Sequence, residues 1–160
     1  MLHLIPRTLH RALLKVAHPV RHRWRRWRKT PLVGCSVLLF DLSDQVLLLR
    51  HNYGPAVWSL PGGGIGKDEA PADAARREIR EELNIVLDTV APLGTMQEAI
   101  SGSPHTAHVF FARIDQSPRP DGREVCEARF FPMHSLPADV SDLTRARLAL
   151  WQDRMLANKG

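Results

Sequence analysis

A chain of 160 residues suffices for one domain built on one core, and 44% hydrophobic with 24% charged residues excludes disordered or collagen-like composition. The formal charge of +5 is unevenly spread: residues 1–30 hold nine of the 22 Lys and Arg and no Asp or Glu, so the remainder sets 13 basic against 17 acidic residues, a net of −4. An acidic body suits a cation-binding site better than a nucleic-acid surface. Both cysteines, Cys35 and Cys126, sit in apolar strand-like runs and read as buried free thiols, which makes a reducing, cytoplasmic setting the expectation. No apolar run approaches the roughly 20 residues that span a bilayer, and the N-terminus lacks the apolar core of a signal peptide.

In chain order, Leu9, Leu13, Val16, Val20, Trp24 and Trp27 recur at steps of three or four, with Arg and His between them. That spacing predicts a basic amphipathic helix in an arm over residues 1–29, bent or divided at Pro19. The domain proper is expected over residues 30–160. It opens with two apolar runs, residues 33–40 and 46–49, around the turn-like Asp41-Leu-Ser-Asp-Gln45, which predicts a hairpin. A third run, Val57-Trp-Ser-Leu60, leads into Pro61-Gly-Gly-Gly64, and a helix is predicted over 71–83. Strands are then predicted at 86–98, 106–114 and 124–132, separated by the turn compositions Ser101-Gly-Ser-Pro104 and Ser117-Pro-Arg-Pro-Asp-Gly122. A last helix is capped by Ser141 and places Leu148, Trp151 and Met155 on one face. Strands mixed with flanking helices imply an α/β layered sandwich around a mixed sheet.

Chemistry concentrates between Gly63 and Ile85. Glu78, Glu81 and Glu82 stand at i, i+3 and i+4, on one side of a single helix, where like charges repel unless a counter-charge is supplied. A hard divalent cation that prefers oxygen ligands meets that need. The bland alternative is a solvated acidic face paired with Arg76, Arg77 and Arg80. Ala72, Ala75, Ile79 and Leu83 fall on the neighbouring side, so the same helix can bury an apolar stripe.

Counting from Gly63, five residues lead to Glu69, and seven more to Arg77-Glu-Ile-Arg-Glu-Glu-Leu-Asn-Ile85. This resembles the Nudix box, G-x5-E-x7-R-E-U-x-E-E-x-G-U, with U a bulky aliphatic residue, and departs from it only at Asn84 in place of the last glycine. That glycine would end the helix in a left-handed conformation, for which Asn is the next best residue. Ala70 stands where a Ser or Thr cap would, a loss of about 1 kcal/mol offset in part by Pro71 and Asp73. The resemblance extends over about residues 31 to 157 and implies a Nudix-like α/β/α sandwich preceded by the basic helix.

The resemblance implies Mg²⁺ or Mn²⁺ held by Glu78, Glu81 and Glu82, with the Gly62 or Gly63 carbonyl as a further ligand. It implies that Arg77 orients and neutralises the carboxylates and that Glu69 fixes its loop by hydrogen bonding. The implied reaction is attack of water on a phosphoanhydride bond of a nucleoside diphosphate joined to another group. For the general base, Glu82, Glu124 and Glu127 all stand as candidates, the last two with an exposed strand edge as the competing reading. Arg50 and Tyr53 are candidate substrate contacts, with Arg50 preferred over its neighbour His51. Glu98 reads as structural, and His105 and His108, three apart in a strand, point to opposite faces. For the arm, docking on the acidic body and weak contact with anionic lipid or RNA are preferred, and an organellar transit peptide, which its Arg-rich, acid-free character fits but its poverty in Ser does not, is the third reading. A non-catalytic nucleotide-binding or regulatory module tethered by this arm is the competing function. It is disfavoured because every acidic position of the box is kept. Oligomeric state leaves no sign in the sequence.

Overall fold

The computed structural model describes residues 32–100 and 102–158. The predicted arm helix lies outside them. Among the described residues, six strands and two helices follow in the order β1 (Leu32–Phe40), β2 (Gln45–His51), β3 (Gly62–Gly64), α1 (Pro71–Leu83), β4 (Ala91–Ile100), β5 (Ser103–Arg113), β6 (Val125–Pro132) and α2 (Asp142–Ala157). The sheet runs β4-β5-β1-β2-β6, with β3 pairing β1 off that path. Its β1–β5 pair is parallel and the other strand pairs are antiparallel, so the sheet is mixed as expected.

The expected hairpin closes only at its base. Phe40 pairs with Val46, and the Asp41 carboxylate caps the turn by accepting from the Ser43 and Gln45 N–H groups. Beyond that point β1 and β2 part, and the chain at Ser59 to Gly64 enters the wedge. Ser59 bridges to Leu49, the Val37 N–H donates to the Pro61 carbonyl, and Gly62 to Gly64 pair with Gly34 to Ser36. The run at 57–60 is therefore no strand of its own but a pair of isolated bridges, and the glycines form the short strand instead. Only glycine fits there, because Gly62 has φ +147° and a Cβ on it would lie 2.2 Å from the Cys35 carbonyl oxygen.

Strand alternation divides the core between the two faces of the sheet. Cys35, Val37 and Leu39 of β1 join Leu47 and Leu49 of β2 beneath Ala74, Ala75, Ile79 and Leu83 of α1. Leu38, Phe40, Val46 and Leu48 face the other way, with Trp58, Val109 and Leu148 of α2. The result is the expected helix-sheet-helix sandwich. Helix α2 starts at Ser141, whose Oγ accepts from the Thr144 N–H, and Trp151 packs its ring 4.8 Å from Phe40 and 4.6 Å from Phe111.

Two expectations are corrected. The strand expected from residue 86 starts at Ala91, since Val86 is exposed and the intervening segment is loop. Cys126 is exposed rather than buried, because β6 carries an irregularity there: His51 pairs with Val125 and Arg50 with Glu127, so Cys126 is the extra residue that faces solvent. No described helix is long and apolar enough to cross a membrane.

Candidate active site

Helix α1 carries the acidic cluster, and its ends follow from its sequence. Pro71 opens it behind Ala70, which makes no side-chain cap, and Asn84 closes it in the left-handed conformation at φ 56°, its N–H donating to the Arg80 carbonyl. The stripe Ala74, Ala75, Ile79 and Leu83 faces the sheet, so Glu82, the residue before Leu83, is drawn in with it and is only 4% exposed.

Arg77 organises the outer half of the site. Its Nε and Nη2 donate to the two Glu69 oxygens at 2.8 and 3.0 Å, a bidentate pair, while Nη1 donates to Glu78 at 2.7 Å and more loosely to Glu81 at 3.4 Å. Nη2 also reaches the Gly64 carbonyl at 3.0 Å, which ties the helix to the glycine strand. Glu69 in turn accepts from the Gly66 N–H at 2.8 Å, and its hydrogen bond from Arg77 holds its carboxyl down at about 2. The same pairing drives Arg77 further up.

Glu82 organises the inner half. Its Oε2 accepts from the Gly62 N–H at 3.0 Å, and its Oε1 lies 3.3 Å from His51 Nε2. Burial raises its pKa, opposed by His51 and the Gly62 N–H and reinforced by Glu78. Burial likewise raises Glu78, opposed by Arg77, with Glu81 and Glu124 adding to the rise. Gly63 lies so close that a Cβ on it would meet the Glu78 carboxylate at 2.5 Å.

The three helix carboxylates share one side but do not converge as the spacing suggested. Among the described residues no three acidic, histidine or cysteine side chains stand close enough to cage a metal ion. Each carboxylate turns to its own counter-charge: Glu78 to Arg77, Glu82 to His51 and the Gly62 N–H, and Glu81 outward with only the long contact to Arg77. Four carboxylates around one arginine and one histidine still leave an excess of hard oxygen donors, and Glu78 and Glu82 are both pushed toward their neutral forms. This donor set fits a divalent cation.

Glu124 belongs near this cluster, as its charge acts on Glu78. Its loop is fixed by Asp121, whose carboxylate accepts from the N–H groups of Arg123, Glu124 and Val125, while the Asp121 N–H donates to the Glu82 carbonyl and the Asn52 N–H to the Glu124 carbonyl. Glu127 and Arg50 are not brought there. Alternation sends Arg50 to the α2 side of the sheet with Leu48. There it pairs with the Asp139 carboxylate and lies 4.6 Å from the Trp58 ring centre. Glu127, opposite it in β6, binds Arg129 at 2.8 Å.

His51, passed over in favour of Arg50, is the β2 residue that meets the acidic helix. The signal was present, because Leu47 and Leu49 set the inward face and His51 continues it. Tyr53 stands with it, the two rings 5.4 Å apart.

Residues 30–158 match the family model of the NUDIX domain. The chain belongs to the NUDIX domain family. Among its curated relatives, a diphosphoinositol polyphosphate phosphohydrolase 2 of Rattus norvegicus is 37% identical over 52 residues, covering 32% of this chain and 29% of the relative. An isopentenyl-diphosphate Delta-isomerase of Streptomyces griseus is 35% identical over 106 residues, covering 59% and 54%. This NUDIX chain thus spans a third to about half the length of these relatives. Of solved structures, a MutT NUDIX hydrolase from Burkholderia pseudomallei superposes with a TM-score of 0.69 at 28% identity, covering 76% of this chain and 98% of that one.

Proposed function

We propose that the chain is a divalent-metal-dependent hydrolase that cleaves a phosphoanhydride bond of a nucleoside diphosphate linked to another group, such as a sugar, a ribose or a further phosphate. The observation that carries this reading is the gathering of Glu69, Glu78 and Glu81 around Arg77, with Glu82 set against His51, beside the Gly62–Gly64 strand. Mg²⁺ or Mn²⁺, held by Glu78, Glu81 and Glu82 with the Gly62 or Gly63 carbonyl, would withdraw charge from the diphosphate oxygens and acidify water.

The chain's own residues supply position and proton traffic. Arg77 holds Glu69 and Glu78 in fixed orientations, and Glu69 holds the loop that follows the glycine strand through the Gly66 N–H. The glycines let a diphosphate approach the backbone without a side chain in the way. Glu82, buried with a raised pKa and set against His51, is the first candidate to take the proton of the attacking water, with Glu124 as the second. Water adds to phosphorus, the bridging P–O bond breaks, and a nucleoside monophosphate leaves with a second phosphate-bearing fragment. Free thiols at Cys35 and Cys126 support a reducing, cytoplasmic setting.

A panel of nucleotide sugars, ADP-ribose, nucleoside triphosphates and dinucleoside polyphosphates with Mg²⁺ or Mn²⁺ tests the reading. Glu82→Gln and Glu81→Gln should lower kcat by about 100-fold or more on any substrate found. Hydrolysis by both variants at the wild-type rate overturns the assignment.

A further inference from the structure

On the α2 side of the glycine strand lies a second group of charges that the hydrolytic site does not use. Arg147, only 6% exposed, donates from Nη2 to Glu98 Oε1 at 2.5 Å, and the same oxygen lies 2.7 Å from His105 Nδ1. Glu98 and His105 are cross-strand partners in β4 and β5, so the sheet fixes both, and α2 lowers the arginine onto them. The imidazole is seated against bare backbone, with its Nε2 only 2.9 Å from where a Cβ on Gly34 would be.

Burying a guanidinium is costly, and burial pulls the Arg147 pKa down while Glu98 pulls it back. Its Nε is also buried without a hydrogen-bond partner among the described residues. A structural ion pair does not need such an arrangement, and apolar residues would fill the space at less cost. The location offers a reason. Arg147 and His105 line a cavity of about 590 Å³ that opens onto the Gly62–Gly64 strand, with Leu60, Ile65 and Ile100 among its walls. The cavity therefore joins the glycine strand to a polar end.

We propose that Arg147, held by Glu98 and flanked by His105, is a specificity-determining residue that receives the nucleobase of the substrate whose diphosphate lies along Gly62–Gly64. This rests on the hydrolase reading and extends it to substrate class. The cavity favours a neutral heteroaromatic ring over a further phosphate or a polyphosphorylated ring, because the charge of Arg147 is already offset by Glu98. Leu60, Ile65 and Ile100 can cover the faces of a flat ring, while the Arg147 guanidinium, with His105 beside it, presents N–H donors to its edge.

Equilibrium titration of the full chain with nucleoside monophosphates and with ribose 5-phosphate, which lacks only the base, decides the matter without turnover. Wild type should bind at least one nucleoside monophosphate roughly tenfold or more tightly than ribose 5-phosphate, the size expected of a buried charged hydrogen bond. The double variant Arg147→Met, Glu98→Gln removes both charges together and should erase that preference. Val33→Trp, at a 44% exposed position on the same cavity, tests the site without touching the buried pair and should lower the preference as well. A melting curve shows whether the double variant is folded, and if it is not, Val33→Trp decides.

No preference for the base in wild type, or a preference that survives in the folded variants, overturns the proposal. A chain that hydrolyses nothing yet shows an Arg147-dependent preference keeps the base site and loses the hydrolase reading. Hydrolysis that is indifferent to the base does the reverse.

Discussion

Gly62 and Gly63 are neighbours that do different work, and their substitutions should separate stability from activity. At Gly62 a Cβ collides with fixed backbone and the φ of +147° is a region open essentially to glycine, so Gly62→Ala should destabilise the fold by about 2 kcal/mol or more, read as a lowered denaturant midpoint. At Gly63 the obstacle is the mobile end of Glu78, which can swing away. Gly63→Ala should therefore fold with nearly wild-type stability and lose kcat, because the displaced carboxylate leaves Arg77. Equal losses of stability in both would refute this division. Glu69 makes a pH prediction of the same kind. Its carboxyl is held near 2, below its unfolded value, so its contribution is present above about pH 4.3 and is lost as pH falls toward 2. The stability gap between wild type and Glu69→Gln should accordingly narrow across that interval in acid titrations followed by circular dichroism, and remain constant from pH 5 to 8.

Single elements show why some positions could be read from sequence and others could not. Helix α1 was legible to its ends because its signals are local: Pro71 at the start, Asn84 at the stop, and an apolar stripe of helical period between. The short glycine strand was not, since it exists only where β1 and β2 splay apart and admit it. The irregularity in β6 likewise depends on its partner β2 and leaves no mark in the run Val125-Cys-Glu-Ala-Arg-Phe, so Cys126 was read as buried. The two thiols should now differ sharply. Burial pushes Cys35 up to about 11, whereas Cys126 is exposed, its Sγ donating to the Arg50 carbonyl at 3.3 Å. A thiol reagent at pH 8 should label one cysteine per chain quickly, lost in Cys126→Ser, and the second only in denaturant. Two fast thiols in the native protein would contradict this burial pattern.

For the whole molecule, the box spacing disclosed the acidic helix and its organising arginine, but not the pairing of Glu82 with His51 or of Glu98 with Arg147. Those pairs join residues 31 and 49 positions apart, across elements whose register only the folded sheet sets. Charge distribution, by contrast, is a property of sequence alone, and it divides this chain into an acidic body and a basic N-terminal 30 residues. We propose that this segment makes weak contact with anionic surfaces, Trp24 and Trp27 adding apolar affinity among its arginines. Changing Arg21, Arg23, Arg25, Arg26 and Arg28 to Gln takes the formal charge from +5 to zero and leaves the body untouched. Each basic residue close to an anionic membrane is worth about 1 kcal/mol, so affinity for vesicles rich in anionic lipid should fall by well over tenfold, while hydrolysis of a small soluble substrate stays at the wild-type rate. Vesicle affinity that is unchanged would assign those charges instead to the chain's own acidic body, and a fall in melting temperature of the variant would then be expected in its place.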